Sequence, residues 1–203
     1  MSRVNAGRKT MSVDPRTPVT QVTFTAFDFE TTGLYPATDR IVEFGAVTFR
    51  DGEIVDRFER LANPGMPISP DAAAVSGISD ADVAESDPVA QVVPEFVEFL
   101  GTTVLIAHNA PFDLGFLRAA VASLGRPDIS NTIVDTQVLA MKAFPRRKSY
   151  GLQNLAAELG LPPNRAHRAL DDAIMCMRLF ERCVAELSFM GDLEVGEVLT
   201  GGN

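Results

Sequence analysis

Acids and histidines that could do chemistry fall in three short segments of this chain. These are Phe27-Asp28-Phe29-Glu30-Thr31-Thr32-Gly33, then His108-Asn109-Ala110-Pro111-Phe112-Asp113, then His167-Arg168-Ala169-Leu170-Asp171-Asp172. On a strand, side chains two apart share a face. Val22, Phe24 and Ala26 share that face with Asp28 and Glu30, so it passes from apolar to doubly acidic at its end. Carboxylates about 7 Å apart on a partly buried face repel, and a divalent cation between them removes the penalty. A strand end meeting solvent at a Thr-Thr-Gly turn is the plainer account of this segment taken alone.

The other two segments also have two readings each. Asn109 can cap a helix that Pro111 opens, which places Asp113 in the first turn, where the helix dipole favours an acid. His108 then reads as an ordinary strand-end histidine. In the third segment, His167 is of the type suited to a general base near neutral pH. Asp171 or Asp172 can bind a metal at the start of the last helix, and spacing does not choose between them; a helical His167 would have Asp171 as its i+4 neighbour. Acids enrich helix starts without any such role. Taken together, the order and residue types of the three segments point to metal-dependent cleavage of a phosphodiester.

The positioning elements are a sheet and its covering helices. Strands are expected at Val22 to Phe29, Arg40 to Phe49 and Glu53 to Leu61, with Asp51-Gly52 as a hairpin turn. Shorter strands are expected at Thr102 to Ala107 and Asn131 to Val134. Helical spacing marks Ser69 to Gly77, Pro88 to Leu100, Pro111 to Leu124, Asp135 to Phe144, Gly151 to Leu159 and Ala169 to Leu187. A hairpin followed by alternating helix and strand implies an α/β fold whose mixed sheet carries helices on its faces. Residues 1–20 read as a flexible N-terminal arm, 21–187 as the one domain, and 188–203 as a flexible C-terminal tail.

Composition sets the outer bounds. With 203 residues, 46% of them hydrophobic, the chain can bury a full core. It holds no run of eighteen apolar residues, and no membrane span or secretory leader is expected. Cys176 and Cys183 lie two helical turns apart, roughly 10 Å, beyond disulfide reach. They read as buried thiols of a cytoplasmic protein. A net charge of −9 argues against tight wrapping of long nucleic acid, but not against gripping a few phosphates through bound cations. Arg146, Arg147 and Lys148 form the compact basic run, either a phosphate-contacting rim or a solvated loop.

Taken together, the three segments resemble the motifs of the DEDDh group of 3′→5′ exonucleases, and within it the proofreading (epsilon) type of bacterial DNA polymerase III. The pattern Asp-x-Glu-Thr-Thr-Gly is matched by Asp28 to Gly33, His-Asn-x-x-Phe-Asp-x-x-Phe-Leu by His108 to Leu117, and His-x-x-x-x-Asp by His167 and Asp172. The resemblance covers roughly Gln21 to Leu187 and implies a ribonuclease-H-like, five-stranded mixed sheet flanked by helices. It selects Asp172 over Asp171. It further implies that Asp28, Glu30, Asp113 and Asp172 hold two divalent cations, Mg²⁺ or Mn²⁺, while His167 takes a proton from the attacking water. Thr31, Thr32, Gly33 and Leu34, with His108, Asn109 and Phe112, are the implied contacts to the terminal nucleotides, Leu34 acting as a wedge against the last base. Asp135 reads as a helix cap.

The activity so implied releases nucleoside 5′-monophosphates from a single-stranded or 3′-terminal nucleic acid. DNA is expected ahead of RNA, and a DNA polymerase is the candidate protein partner. An exoribonuclease trimming RNA or short oligoribonucleotides is the runner-up. A non-catalytic module for end binding or polymerase assembly ranks below both, because all five residues of the site are present.

Overall fold

The computed structural model describes residues 13–199. Strands β1 (Phe24–Thr31), β2 (Ile41–Arg50) and β3 (Glu53–Leu61) come first, followed by helices α1 (Pro70–Ser76), α2 (Asp80–Val83) and α3 (Val89–Leu100). Then come β4 (Val104–Ala107), α4 (Ala110–Ser123), β5 (Ile133–Asp135), α5 (Thr136–Ala143), α6 (Leu152–Glu158), α7 (Ala169–Leu187) and α8 (Val195–Val198). The five strands form one sheet in the order β3-β2-β1-β4-β5. β1 is antiparallel to β2 and parallel to β4, so the sheet is mixed, as expected. The β2–β3 hairpin turns on Asp51 (φ 49°) and Gly52 (φ 78°), the two consecutive positive-φ residues that a tight hairpin twist requires.

Period-two alternation divides β1 between two cores. Phe24 and Ala26 pack with Val47, Ile106, Leu139, Leu155 and the apolar stripe of α7. Phe27 and Phe29 pack on the opposite face with Phe44, Phe96, Leu105 and Leu117, under α3 and α4. Apart from the buried Thr25, bonded to Thr48 and Thr103, the central strand is therefore apolar on both faces until Asp28 and Glu30, which emerge on the α7 side at its C-terminal end. Active sites of open α/β sheets commonly lie at such strand ends.

The ends of the described chain differ from the expected unstructured arm and frayed tail. Pro18 bridges Glu194, the Val19 N–H donates to the Leu193 carbonyl at 2.9 Å, and the Val195 N–H donates to Thr17 at 2.8 Å. Val19, Val22, Leu193, Val195 and Val198 are buried in the α7-side core. Each segment is too short to show a periodicity of its own, and each is ordered by the other. The remainder of the expected arm and tail, residues 1–12 and 200–203, lies outside the described residues. No helix among the described residues is long and apolar enough to cross a membrane.

Candidate active site

A groove of about 840 Å³ opens at the C-terminal end of β1. Asp28, Glu30, His167 and Asp172 line one part of it, while Leu34, Tyr35, Val75, Phe112 and Leu152 supply apolar wall. Ligand atoms from Glu30, His167 and Asp172 all lie within 4.8 Å of one another, a spacing that one divalent cation can bridge. The three residues come from β1, from the turn before α7 and from the first turn of α7.

The approach of α7 to the sheet depends on Gly45, which pairs with Asp28 across β1–β2. A β-carbon at Gly45 would stand 2.1 Å from the Ala169 carbonyl carbon and 2.2 Å from the Leu170 nitrogen. Glycine alone lets the start of α7 lie against the strand and bring Asp172 over Asp28. The same close approach lets Glu43, 1% exposed, take hydrogen bonds from Arg168 Nε at 3.1 Å and from the Ala169 N–H at 2.9 Å. Glu43, Gly45 and Arg168 escape the sequence motifs. A glutamate and a glycine inside the apolar run Ile41-Val42-Glu43-Phe44-Gly45-Ala46-Val47 were nonetheless visible anomalies for a strand.

His167 does not belong to the helix. It sits at φ 62°, ahead of the helix N-cap Arg168, so it has no helical i+4 relation to Asp171. Asp171 instead pairs with Arg165 at 3.5 Å. Asp172 turns into the groove, where its Oδ2 accepts the His167 N–H at 2.8 Å.

Asp113 is placed differently from the other acids. It is 3% exposed, and its Oδ1 accepts the Phe29 N–H at 3.2 Å from behind the strand. It does not join the three-residue ligand cluster, though its charge acts on Asp28.

Burial, reinforced by the charges of Asp113, Asp172, Glu30 and Glu43, holds the Asp28 carboxyl well above the ordinary carboxylate range. Burial, then Asp172 and Glu43, push Glu30 up to about 7 against the pull of Arg168. Burial pushes Asp113 up to about 8, despite the Phe29 hydrogen bond. Burial also raises Asp172, opposed by the Asn164 amide and the His167 N–H. An acidic set with this much unrelieved repulsion, offering hard oxygen donors, fits divalent cations such as Mg²⁺ or Mn²⁺.

Of the expected nucleotide contacts, Thr31, Gly33, Leu34, His108 and Phe112 line the groove. Leu34 and Tyr35 are each 70% exposed. Their loop is held by Asp39, whose carboxylate accepts the Tyr35 N–H at 2.8 Å and the Thr32 hydroxyl at 3.2 Å. Gly33 packs so closely on Asp39 that a β-carbon would lie 2.6 Å from its carboxylate.

Thr32 departs from the expectation. It is buried outside the groove wall, its N–H donating to Arg40 and its carbonyl accepting from Ser69. Asn109 departs as well. Its side chain caps nothing, and its residue lies outside the groove wall at φ 59°. The cap comes from Asp135, whose carboxylate accepts the N–H groups of Asn109, Ala110 and Gln137 at 3.1, 3.1 and 2.8 Å. Asp135 therefore caps α4 as well as its own helix α5.

His108 has both ring nitrogens engaged. Nε2 donates to the Tyr150 carbonyl at 2.8 Å, and Nδ1 lies 2.9 Å from the Thr136 hydroxyl. Burial lowers its pKa, against the pull of the Tyr150 carbonyl and of Asp135. In the basic run, Arg147 pairs with Glu158 at 3.3 Å and lies over the Phe144 ring, away from the groove wall.

The chain is 44% identical over 166 residues to DNA polymerase III subunit epsilon of Treponema pallidum, covering 81% of this chain and 77% of that protein. It is 39% identical over 176 residues to the PolC-type DNA polymerase III of Thermotoga petrophila, where 87% of this chain spans 13% of the relative. Among solved structures, exonuclease X in complex with 5′ overhanging duplex DNA is 28% identical with a TM-score of 0.67, over 87% of this chain and 99% of that one. Exonuclease I of E. coli with a dT13 oligonucleotide is 20% identical with a TM-score of 0.71, over 84% of this chain and 41% of that one, a likeness of fold. Residues 25–180 match the RNase_T exonuclease family model, and the chain belongs to that family.

Proposed function

We propose that this exonuclease removes nucleoside 5′-monophosphates one at a time from the 3′ end of DNA, using Asp28, Glu30, Asp113, Asp172 and His167. The observation that carries this reading is the convergence of Glu30, Asp172 and His167 within 4.8 Å, beside Asp28, at the end of a groove with an apolar wall. Asp28, Glu30, Asp113 and Asp172 would hold two Mg²⁺ or Mn²⁺ ions, the first two and Asp172 from the groove wall and Asp113 from its buried place beside the Phe29 N–H. Bound there, the ions supply a nucleophile at neutral pH and neutralise charge on the leaving 3′-oxygen.

The chain's own groups do the rest. Leu34 and Tyr35 press on the terminal bases, and Thr31, Gly33 and Phe112 bound the slot for the last nucleotide. His167, exposed at the groove edge, takes the proton from the attacking water at an imidazole nitrogen. The epsilon and PolC-type relatives support a DNA polymerase as partner, and the exonuclease X complex supports a DNA end as substrate.

Mn²⁺-dependent release of mononucleotides from 5′-labelled single-stranded DNA and RNA tests the reading. DNA is expected to shorten stepwise from its 3′ end. His167→Ala is expected to lower turnover about 10²–10⁴-fold while Mn²⁺ still binds. RNA degraded faster than DNA would move the substrate assignment to RNA, and a His167→Ala variant as fast as its parent would remove the base.

A further inference from the structure

The Asp172 carboxylate is held by two side chains that no motif singles out. Gln153 Nε2 donates to its Oδ1 at 2.6 Å, and Asn164 Nδ2 donates to the same oxygen at 2.7 Å. The His167 N–H donates to Oδ2 at 2.8 Å. A carboxylate oxygen offers about two lone-pair sites. The two amides therefore fill Oδ1, and Oδ2 keeps one site for a cation.

The donors come from different parts of the chain. Gln153 stands in the first turn of α6, on the groove wall. Asn164 stands in the loop between α6 and α7 that ends at His167. The Asn164 amide shows what governs its placement. Its Oδ1 is buried and has no hydrogen-bond partner among the described residues. The side chain keeps its donor on Asp172 while its acceptor goes unanswered. The loop ends in the positive φ of His167, a conformation that residues with a β-carbon seldom adopt. Such a conformation persists where its surroundings over-determine it, and here the Asp172 carboxylate binds both Asn164 and the His167 backbone.

We propose that Gln153 and Asn164 are positioning residues for the exonuclease reaction. They hold Asp172 so that Oδ2 alone is presented to a cation, and Asn164 also fixes the loop that presents His167. The proposal rests on the exonuclease reading above. Neither residue touches the reacting atoms; both act through Asp172.

The test uses the full chain and the variants Gln153→Met and Asn164→Leu, which keep bulk and remove the donor. Mn²⁺ binding is followed by electron paramagnetic resonance without nucleic acid, and kcat and KM are measured on single-stranded DNA. Both variants are expected to bind Mn²⁺ about 10-fold more weakly and to lose about 10–100-fold in kcat, with KM for DNA within about twofold of the parent. A side chain with a merely structural role would shift the thermal transition and leave Mn²⁺ affinity alone. Should Asn164→Leu fail to fold, Gln153→Met on the half-exposed groove wall decides the matter. Mn²⁺ affinity and kcat both within twofold of the parent overturn the proposal. If the parent cleaves no nucleic acid, the reading of function fails, and the Mn²⁺ titration still decides the role of the two amides.

Discussion

Glu30 and Glu43 face each other across the β1–β2 pair, and the chain treats them in opposite ways. Glu43 is buried and receives both Arg168 and a helix N–H. Glu30 is half-buried among Asp28, Asp172 and Glu43, its carboxyl pushed up to about 7. Like charges directly opposite on a strand pair are destabilising. The fold relieves one member with a guanidinium and leaves the other on the groove. A carboxylate that serves structure is given its counter-charge inside the protein, whereas one that serves chemistry is left to find it in solution. The contrast separates the two roles more sharply than burial does.

Neutralising each glutamate in turn tests the contrast most strongly. Glu43→Ala leaves Arg168 without its partner and the Ala169 N–H without its acceptor. Arg168 is 29% exposed, so the loss is expected at about 3 kcal/mol, the low end of what breaking a buried pair costs, to be read by urea unfolding in EDTA. Glu30→Gln removes a repelled charge, so its stability in EDTA is expected to match or exceed that of the parent. Its exonuclease activity is expected to fall about 10³-fold, equivalent to roughly 4 kcal/mol. Equal stability losses in the two variants would erase the distinction.

Acidity is the next test. In the metal-free fold Glu30 and Asp113, pushed up to about 7 and about 8, retain protons that the unfolded chain releases near pH 4. The folded state then binds more protons than the unfolded one. This contribution to stability is therefore full below about pH 4 and is lost as pH rises toward 8. Glu30 alone accounts for a loss of about 3 kcal/mol. Mn²⁺ is expected to flatten this fall, since the cation replaces the proton. Thermal unfolding from pH 5 to pH 8, with EDTA and with Mn²⁺, measures it; parallel curves would show that the acids do not share a cation.

Sequence reasoning reached the carboxylates because their signals are local. Asp28 and Glu30 interrupt a period-two apolar face, and α7 spans Ala169 to Leu187 as expected, although the face it buries runs through Ala169, Ala173, Cys176, Phe180 and Cys183 rather than through Leu170, Ile174 and Val184. The choice between Asp171 and Asp172 was not legible from spacing, because it depends on the positive φ of His167, which carries the histidine out of helical register. Glu43 and Arg168 lie 125 residues apart, so the pair exists only in the fold. Gln153 and Asn164 belong to no motif, and their role exists only once the fold sets both on Asp172. Asn109 suited a helix cap by type, yet its side chain accepts no helix N–H, and Asp135 from the neighbouring strand instead takes the N–H groups of Asn109 and Ala110. Residue type and local period carried the chemistry, while partners contributed by distant segments stayed hidden.

Gly45 joins the two glutamates, and its substitution gives the smallest of these effects on stability with a clear separation of outcomes. The start of α7 touches the strand at Gly45, and from that contact Ala169 reaches Glu43 while Asp172 reaches the Glu30 side of the groove. Gly45→Ala places a methyl group about 2 Å from the α7 backbone, so the helix must shift outward. Overpacking of this kind typically costs about 1–3 kcal/mol. The shift falls on both glutamates at once. It lengthens the Ala169–Glu43 hydrogen bond and draws Asp172 and His167 together away from Glu30. Mn²⁺ affinity is therefore expected to fall about 10-fold or more, a larger loss in proportion than the change in unfolding free energy. Glu43→Ala offers the counterpart, with a larger loss of stability. If Gly45→Ala binds Mn²⁺ as the parent does, the cation site tolerates a displaced α7, and the close approach of helix to strand serves packing alone.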